Sequence, residues 1–441
     1  MSKSVLKTIV DELVQNDNHE LAWQLIDHYY KKATTPMEFD GIGASAISAK
    51  YFEMQLKCAL AAYTVARGEE GLFAARENLY KAYMTMNYPD KALFYIDLNL
   101  KMRPNDFQTT SQRAFALAQM CRREESEQIL ISLVGHEEQG DSDLDYALSG
   151  KMIREGHTAE GIRNFITAFK PRNPLFEDQL QLEFWSGQIE PGRTIVINGE
   201  GGVGDEIINI RFLDRIRDLG MTPILYSSWY RYRPDLTDLF RRHGYRVETN
   251  SMFFKSDWMW THMMALPAYL NLNEDQLWTG PYLTPQRLAK NQLNDTKFKI
   301  GIKCNGNPYF EQDIFRRIPI EEIIQAIPDN VSIYYFDKEK TADGTISLKD
   351  KLDTWEDTLD YIDQMDLILS SCTSLVHAAG AIGKRTIVVT PIAEYYTWTS
   401  TRTNETTPWY GDNFTVLKQT KLRSWKEPLQ RASEIIQHML K

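Results

Sequence analysis

Short apolar segments alternate with amphipathic helices from about residue 191 onward, in two successive series. The first series contains the strand-like segments TIVIN at 194–198 and TPILYS at 222–227. The second begins with FKIGIK at 298–303, continues through VSIYYF, DLILS and RTIVVT, and closes with an amphipathic helix at 424–440. Buried strands separated by helices predict parallel sheets. We therefore expect two α/β domains in tandem, with a ligand cleft at the carboxyl ends of their strands.

The part of the chain before this alternation has helical spacing of apolar residues from about 4 to 169. Three small residues, Ala92, Ser126 and Gly161, follow one another at intervals of 34 and 35 positions. Such a period, with a small residue where two helices cross, is typical of tetratricopeptide repeats. The earlier segment TTPMEFDGIGAS is expected to be a loop between two helices.

Three domains follow from these patterns. They are a helical tetratricopeptide-like repeat domain at 1–172, a first α/β domain at 173–292 and a second at 293–441.

The segment DLILSSCTSLVHAAGAIG, residues 366–383, has the layout of an anion site. A strand is expected to lead into a helix with Ser374 as its N-cap and Gly383 at its C-cap. Unpaired amides and the positive end of the helix dipole favour phosphate there, with the hydroxyls of Thr373 and Ser374 and the His377 side chain beside it. The alternative is that Ser374 only caps the helix and His377 is a core histidine.

A glycine loop, GEGGVGD at 199–205, lies between the first strand and a helix expected at 205–219. Its glycines are Gly199, Gly201, Gly202 and Gly204. Its spacing matches GxGxxG, but TPILYSSWYRYR carries no acidic residue to hold a ribose, which disfavours a nicotinamide cofactor. No Lys-Ser or Lys-Thr pair follows, which excludes a Walker A loop. Asp205 is the candidate general base, with Glu206 as runner-up, although Asp205 is also a good helix N-cap.

Four motifs together resemble tetratricopeptide-containing glycosyltransferases related to the heptosyltransferases. They are GGVGDEIINIRFLDRI, GIKCNGNPYFEQDIFRRIPI, MDLILSSCTSLVHAAGAIGKRTIVV and PIAEYYTWTSTRTNETTPWY, which occur in this order within about residues 175–435. The resemblance implies a GT-B fold, in which the first Rossmann-like domain holds the acceptor and the second holds a nucleotide-sugar donor. Two departures from the family pattern are Cys372, where aspartate is usual, and Cys304 followed by Asn305.

The resemblance also implies an inverting transferase with Asp205 as base. It assigns the donor diphosphate to Thr373, Ser374, His377 and Arg316, with Arg317 as the alternative arginine. Candidate residues of the donor pocket are Asn307, Tyr395, Tyr396 and Trp398. No metal and no cofactor are expected, and the nucleotide-sugar is a substrate. Asp143 and Asp145 match the DxD motif of metal-dependent transferases, but they lie in the helical region, away from any strand end.

The acceptor is open at this stage. Residues 211–246 hold eight arginines and four aspartates, a balance of +4 in a chain of net charge −10. Candidate acceptor-side residues are Arg211, Trp229, Tyr230, Arg231 and Arg233. Arginines among aromatic rings suit an anionic acceptor, either a phosphorylated glycan or a modified base in DNA, and they also suit an ordinary protein surface. The alternatives are a protein O-glycosyltransferase that holds peptides on its repeats and a non-catalytic scaffold with a degenerate transferase domain.

The sequence leads us to expect a cytoplasmic location. Charges interrupt the N-terminal segment MSKSVLKTIVDELVQND too often for a signal peptide, and no apolar run is long enough to span a bilayer. The four cysteines are scattered without a CxxC pair, which indicates neither disulfides nor a zinc site. The negative net charge disfavours a protein that coats nucleic acid through global charge.

Overall fold

The computed structural model describes residues 3–16, 18–134, 142–169, 182–199, 202–227, 233–307, 313–392 and 395–441. The chain divides into two compact units. The first comprises residues 1–138, 307–315 and 421–423, and the second comprises 139–306, 316–420 and 424–441.

The first compact unit is built from helices in sequence order. They are Lys3–Gln15, His19–Tyr30, Pro36–Ser48, Phe52–Val65, Gly68–Thr85, Pro89–Met102, Phe107–Gln119 and Arg123–Leu133. Neighbouring helices pack on each other, and the small residues Ala92 and Ser126 are buried in this packing. Their assignment as tetratricopeptide repeats stays a prediction.

The expectation of a loop at TTPMEFDGIGAS was wrong, because most of that segment belongs to the Pro36–Ser48 helix. Thr35 caps this helix: its side chain accepts from the Glu38 N–H at 3.3 Å, while the Glu38 carboxylate accepts from the Thr35 N–H at 3.0 Å. This capping box and the proline at the first helical position outweigh the two glycines that suggested a loop.

The second compact unit begins with a helical pair, Ser142–Arg154 and Thr158–Phe169. The pair crosses at Gly161, where a Cβ atom would lie 2.6 Å from Ile153 Cγ1 and 2.8 Å from the Ser149 carbonyl oxygen. The second helix of the pair then packs on the Leu266–Tyr269 helix. The third predicted repeat is therefore joined to the α/β part of the chain.

The first sheet of this unit is parallel throughout. Its strands are Glu183–Phe184 (β1), Thr194–Asn198 (β2), Thr222–Tyr226 (β3), Val247–Glu248 (β4) and Met259–His262 (β5), in the order β1-β5-β2-β3-β4. Apolar side chains on one face, such as Ile195 and Ile197, share a core with the helices Val203–Asn209, Phe212–Asp218 and Pro234–Arg242. The opposite face buries Val196, Ile224 and Trp260.

The second sheet is also parallel. Its strands are Lys299–Lys303 (β6), Ser332–Tyr335 (β7), Ile346–Ser347 (β8), Leu367–Ser371 (β9), Thr386–Thr390 (β10) and Phe414–Lys418 (β11), in the order β11-β10-β9-β6-β7-β8. The helices of this part are Ile320–Gln325, Trp355–Gln364, Ser374–Ala381 and Lys426–Met439. Of the short helix Asp313–Arg316, only Arg316 belongs to this unit. The two sheets confirm the prediction of a mixed α/β chain with parallel strands.

One predicted helix is broken. The expected helix at 205–219 is two helices, Val203–Asn209 and Phe212–Asp218, and the break falls at Arg211. The Arg211 side chain turns back and its Nε–H donates to the Ile208 carbonyl oxygen at 2.7 Å. Within the described residues, no helix is long and apolar enough to cross a membrane.

Candidate functional site

The glycine-loop helix, Val203–Asn209, begins just beyond the carboxyl end of β2. Gly202 is its N-cap, and the Gly202 N–H donates to Asp205 Oδ2 at 2.8 Å. The Tyr395 hydroxyl donates to the other carboxylate oxygen, Oδ1, at 3.2 Å. The alternative role of Asp205 as the helix N-cap was wrong, because Gly202 holds that position and Asp205 is the third helical residue, whose carboxylate accepts from the N-cap N–H. This partly buried carboxylate also faces Tyr395, from beyond β10.

Glu206, the runner-up base, lies deeper. Its side chain is only 6% exposed, whereas Asp205 is partly exposed. Of the two carboxylates, Asp205 is the one that a substrate can approach. Gly201 of the same loop lies outside the described residues.

The histidine helix, Ser374–Ala381, follows β9. Its N-cap is Thr373, with an extended backbone, and Ser374 is the first helical residue, so the helix begins one position earlier than expected. Gly383 lies just past the C-cap with φ +72°, and its N–H donates to the Gly380 carbonyl oxygen at 2.9 Å. The Lys384 N–H donates to the Ala379 carbonyl oxygen, which completes a Schellman ending.

The two helices meet at Gly204. A Cβ atom at this position would lie 2.7 Å from His377 Cδ2, 3.3 Å from Ser374 Cα and 3.5 Å from His377 Nε2. Only a residue without a side chain permits this approach. The contact brings the residue before Asp205 against the first turn of the histidine helix, so the glycine loop and the predicted phosphate seat form one site.

His377 is a neutral side chain in this site. It is 7% exposed, its Nδ1 lies 2.7 Å from the Tyr410 hydroxyl oxygen, and its ring stacks on Trp398 with centroids 5.4 Å apart. Burial, with the nearby charges of Arg211 and Arg316, lowers the pKa of His377 from 6.5 to about 3. The imidazole is therefore uncharged at neutral pH and keeps one N–H to donate.

Arg316 reaches the same loop. Its Nη1–H donates to the Cys372 carbonyl oxygen at 2.7 Å, which places a half-buried guanidinium beside the start of the histidine helix. The neighbouring Arg317 is exposed. Thr373 is 3% exposed and its hydroxyl lies 3.4 Å from that of Ser370, whereas Ser374 is partly exposed. Ser374 thus offers the more accessible hydroxyl.

The predicted donor-pocket residues have different surroundings. Tyr396 and Trp398 are each 4% exposed, and Tyr396 packs on Phe165 and Trp409. Tyr396 and Trp398 therefore pack beside the site as buried side chains. Asn307 is exposed and falls in the first compact unit.

The acceptor-side prediction for Arg211 is corrected by the structure. Arg211 is 5% exposed, donates from Nη1 to the Trp409 carbonyl oxygen at 2.9 Å, and is enclosed by aromatic rings. Their centroids lie 4.7–5.8 Å from its Cζ atom, and they belong to Phe212, Trp278, Tyr282, Trp409 and Tyr410. Arg233 is exposed. Trp229, Tyr230 and Arg231 lie outside the described residues.

Tyr410 is a site residue that sequence reasoning missed. It is 1% exposed, contacts His377 through its hydroxyl and packs against the position of Gly380, where a Cβ atom would lie 2.3 Å from its ring. It lies 33 residues after His377 in the segment PWYGD. Spacing in the sequence gives no signal for this pairing, because the chain forms β10 and a long connection before it returns.

No protein-family model matches the chain, and no curated protein matches it. Solved structures similar to it include a glycosyl transferase family 9 protein from Veillonella parvula, with 11% identity, 58% of this chain and 98% of that chain covered, and a TM-score of 0.41. Another is the iron-containing dodecameric glycosyltransferase TibC from enterotoxigenic E. coli, with 10% identity, coverage of 57% and 76%, and a TM-score of 0.38. A variant of the O-GlcNAc transferase of Thermobaculum terrenum has 11% identity, coverage of 99% and 92%, and a TM-score of 0.40.

Proposed function

We propose that this chain is an inverting, metal-independent glycosyltransferase that moves a sugar from a nucleotide-sugar to an acceptor hydroxyl. The observation that carries the proposal is the contact of Gly204 with Ser374 and His377, which sets Asp205 beside the start of the histidine helix. The proposed base and the proposed anion seat thereby lie together at the carboxyl ends of strands from two parallel sheets, where ligands of such sheets bind.

The donor diphosphate would bind at the N-terminus of the histidine helix. The backbone N–H groups of the first turn and the helix dipole favour an anion there, and the Ser374 hydroxyl adds a donor. Arg316 supplies a positive charge beside the same loop. His377, being neutral, adds no charge to this seat. These groups would stabilise the negative charge that grows on the leaving diphosphate, with no resident metal or cofactor.

Asp205 would act as the general base. It takes the proton of the acceptor hydroxyl as that oxygen attacks the anomeric carbon from the face opposite the diphosphate. The bond between the anomeric carbon and the diphosphate oxygen breaks, and its electron pair leaves with the nucleotide. One displacement of this kind inverts the anomeric configuration.

The proposal extends to an acceptor hydroxyl and no further. The buried Arg211 is removed from the basic surface that suggested an anionic acceptor, and no described residue favours DNA over a glycan or a protein. The helical repeats remain a candidate peptide surface by resemblance only.

A panel of UDP-, GDP-, dTDP-, CMP- and ADP-sugars tests the proposed function. The protein should bind one of them in calorimetry and slowly release its nucleotide with water as acceptor. Arg316→Ala should weaken that binding more than tenfold, whereas Arg317→Ala, a change in the exposed neighbour, should have the smaller effect. Binding without nucleotide release would instead support the non-catalytic scaffold, and binding of no nucleotide-sugar would overturn the proposal.

A further inference from the structure

We propose that Tyr395 is a positioning residue for Asp205 and holds its carboxylate ionised and correctly oriented for the acceptor. This inference rests on the proposed function, because it concerns the same base. It assigns Tyr395 a role at the base rather than in the donor pocket, where the sequence placed it.

The Asp205 carboxylate is held at both oxygens. The Gly202 N–H donates to Oδ2 at 2.8 Å, and the Tyr395 hydroxyl donates to Oδ1 at 3.2 Å. The backbone is also fixed, since the Asn209 side chain donates to the Asp205 carbonyl oxygen at 2.8 Å. Rotation of the carboxylate would break both of these hydrogen bonds, so the Tyr395 hydroxyl helps to fix the direction of Oδ1.

The Tyr395 ring is itself fixed by aromatic neighbours. It meets Phe165 edge to face with centroids 5.6 Å apart, and Tyr396 with centroids 4.8 Å apart. Phe165 is 1% exposed and belongs to the Thr158–Phe169 helix, in the helical pair that precedes the first sheet. This helical pair therefore supports the ring that orients the base, and it is part of the catalytic framework.

The chemistry of the contact follows from its direction. A hydroxyl that donates to a carboxylate favours the charged form, which is the form a general base requires. Tyr395 keeps its own proton throughout, and the proton taken from the acceptor goes to Asp205.

The test is the pH dependence of nucleotide release in Tyr395→Phe, with the nucleotide-sugar that the panel identifies and water as acceptor. The acid limb of kcat/KM should move to higher pH by about half a unit to one unit, because one hydrogen bond to the charged form is lost. Above that limb the rate should return to within about threefold of the wild-type rate. An unmoved limb, or a loss that is the same at every pH, would overturn the proposal.

Tyr245→Phe is the matched control. Tyr245 donates to a different aspartate, Asp214, at Oδ2 and 3.1 Å in the same compact unit. It should leave the acid limb unchanged, and thermal melting of both variants shows that each is folded.

A second variant tests the support of the ring. Phe165→Leu should shift the limb in the same direction, and it should add little when combined with Tyr395→Phe, because both act through one hydrogen bond. Asp205→Asn distinguishes a failure of the role of Tyr395 from a failure of the assignment of Asp205 as the base. If Asp205→Asn abolishes turnover while Tyr395→Phe leaves the limb unmoved, the role of Tyr395 fails and the proposed function stands. If Asp205→Asn retains full turnover, the assignment of the base fails.

Discussion

Gly204→Ala tests whether the glycine loop and the histidine helix approach each other as closely as the structure requires. The added Cβ atom would lie 2.7 Å from His377 Cδ2, which is about 0.7 Å short of an ordinary 3.4 Å contact. His377 cannot easily move away, because its ring stacks on Trp398 and its Nδ1 contacts the Tyr410 hydroxyl. Either the imidazole or the glycine-loop helix must shift.

The magnitude follows from two opposing effects. Overpacking a buried contact costs about 1–3 kcal/mol, while replacing glycine by alanine in a helix gains about 0.8–1 kcal/mol in helix propensity. Gly150→Ala measures the gain in helix propensity alone, because Gly150 lies within the Ser142–Arg154 helix. A Cβ atom added there would meet only the flexible Arg154 guanidinium, at 3.3 Å. The difference in the free energy of unfolding between the two variants should therefore be about 1–3 kcal/mol.

Two measurements are made on each variant: its stability, by thermal or urea unfolding, and the rate at which the folded protein releases nucleotide. Gly204→Ala should melt roughly 2–12 °C below Gly150→Ala. Its turnover should fall by about 10- to 100-fold, since displacements approaching 1 Å at a reacting centre have effects of this size. If Gly204→Ala were as stable as Gly150→Ala and turned over at the wild-type rate, the close approach and the site built on it would be refuted.

Two further predictions concern stability. The pKa of His377 is lowered from 6.5 to about 3, so the unfolded chain binds a proton between these pH values that the folded chain does not. Folding stability should therefore fall as the pH drops from about 6.5 toward 3, and His377→Asn should flatten this slope in urea unfolding at several pH values; equal slopes would contradict the neutral histidine. Arg242 donates twice to Glu356, at 2.6 and 2.8 Å, and the side chains are 29% and 12% exposed, respectively. Arg242→Ala should cost about 2 kcal/mol, whereas Arg246→Ala, which loses the more exposed pair with Glu248, should cost under about 1 kcal/mol; equal losses in urea unfolding would contradict this ranking.

The strands that carry the site were predictable because their sequences are unambiguous. TIVIN forms the strand Thr194–Asn198 as expected, and the later strands differ from expectation by one or two residues at their ends. Continuous apolar runs bounded by polar turns have few alternatives in a parallel sheet. The strand Met259–His262 escaped prediction because MWTH is short and lies among tryptophans and polar residues, yet it pairs directly with the central strand β2.

The start of the Pro36–Ser48 helix was missed because two local signals in the sequence conflict. Thr35 and Glu38 form a capping box, but the glycines that follow gave the stronger impression of a loop. The glycines are tolerated because the helix packs closely, and a Cβ atom at Gly43 would touch Cys58 Cβ at 3.4 Å. Tertiary packing of this kind outweighs intrinsic propensity and is not visible along the sequence.

The sequence was enough to propose the central residues of the site, but not the side chains that surround them. The sequence indicated Asp205, Ser374 and His377, and the structure brings their helices together. Nothing in the sequence indicated that Arg211 is buried, because an arginine enclosed by five aromatic rings and a surface arginine can occupy the same place in a helical pattern. The Tyr395 and Tyr410 contacts depend on the chain returning after β10, which only the folded structure reveals.

Asp205→Asn, measured for both donor binding and turnover, tests the central claim most directly. Asparagine keeps the size of the side chain but cannot accept the acceptor proton, so the dissociation constant of the nucleotide-sugar should change little while turnover falls by about 10²- to 10⁴-fold. Asp214→Asn, an equal change at the aspartate that binds Tyr245 and Arg217, should leave turnover near the wild-type rate. Wild-type turnover in Asp205→Asn would contradict the proposed mechanism.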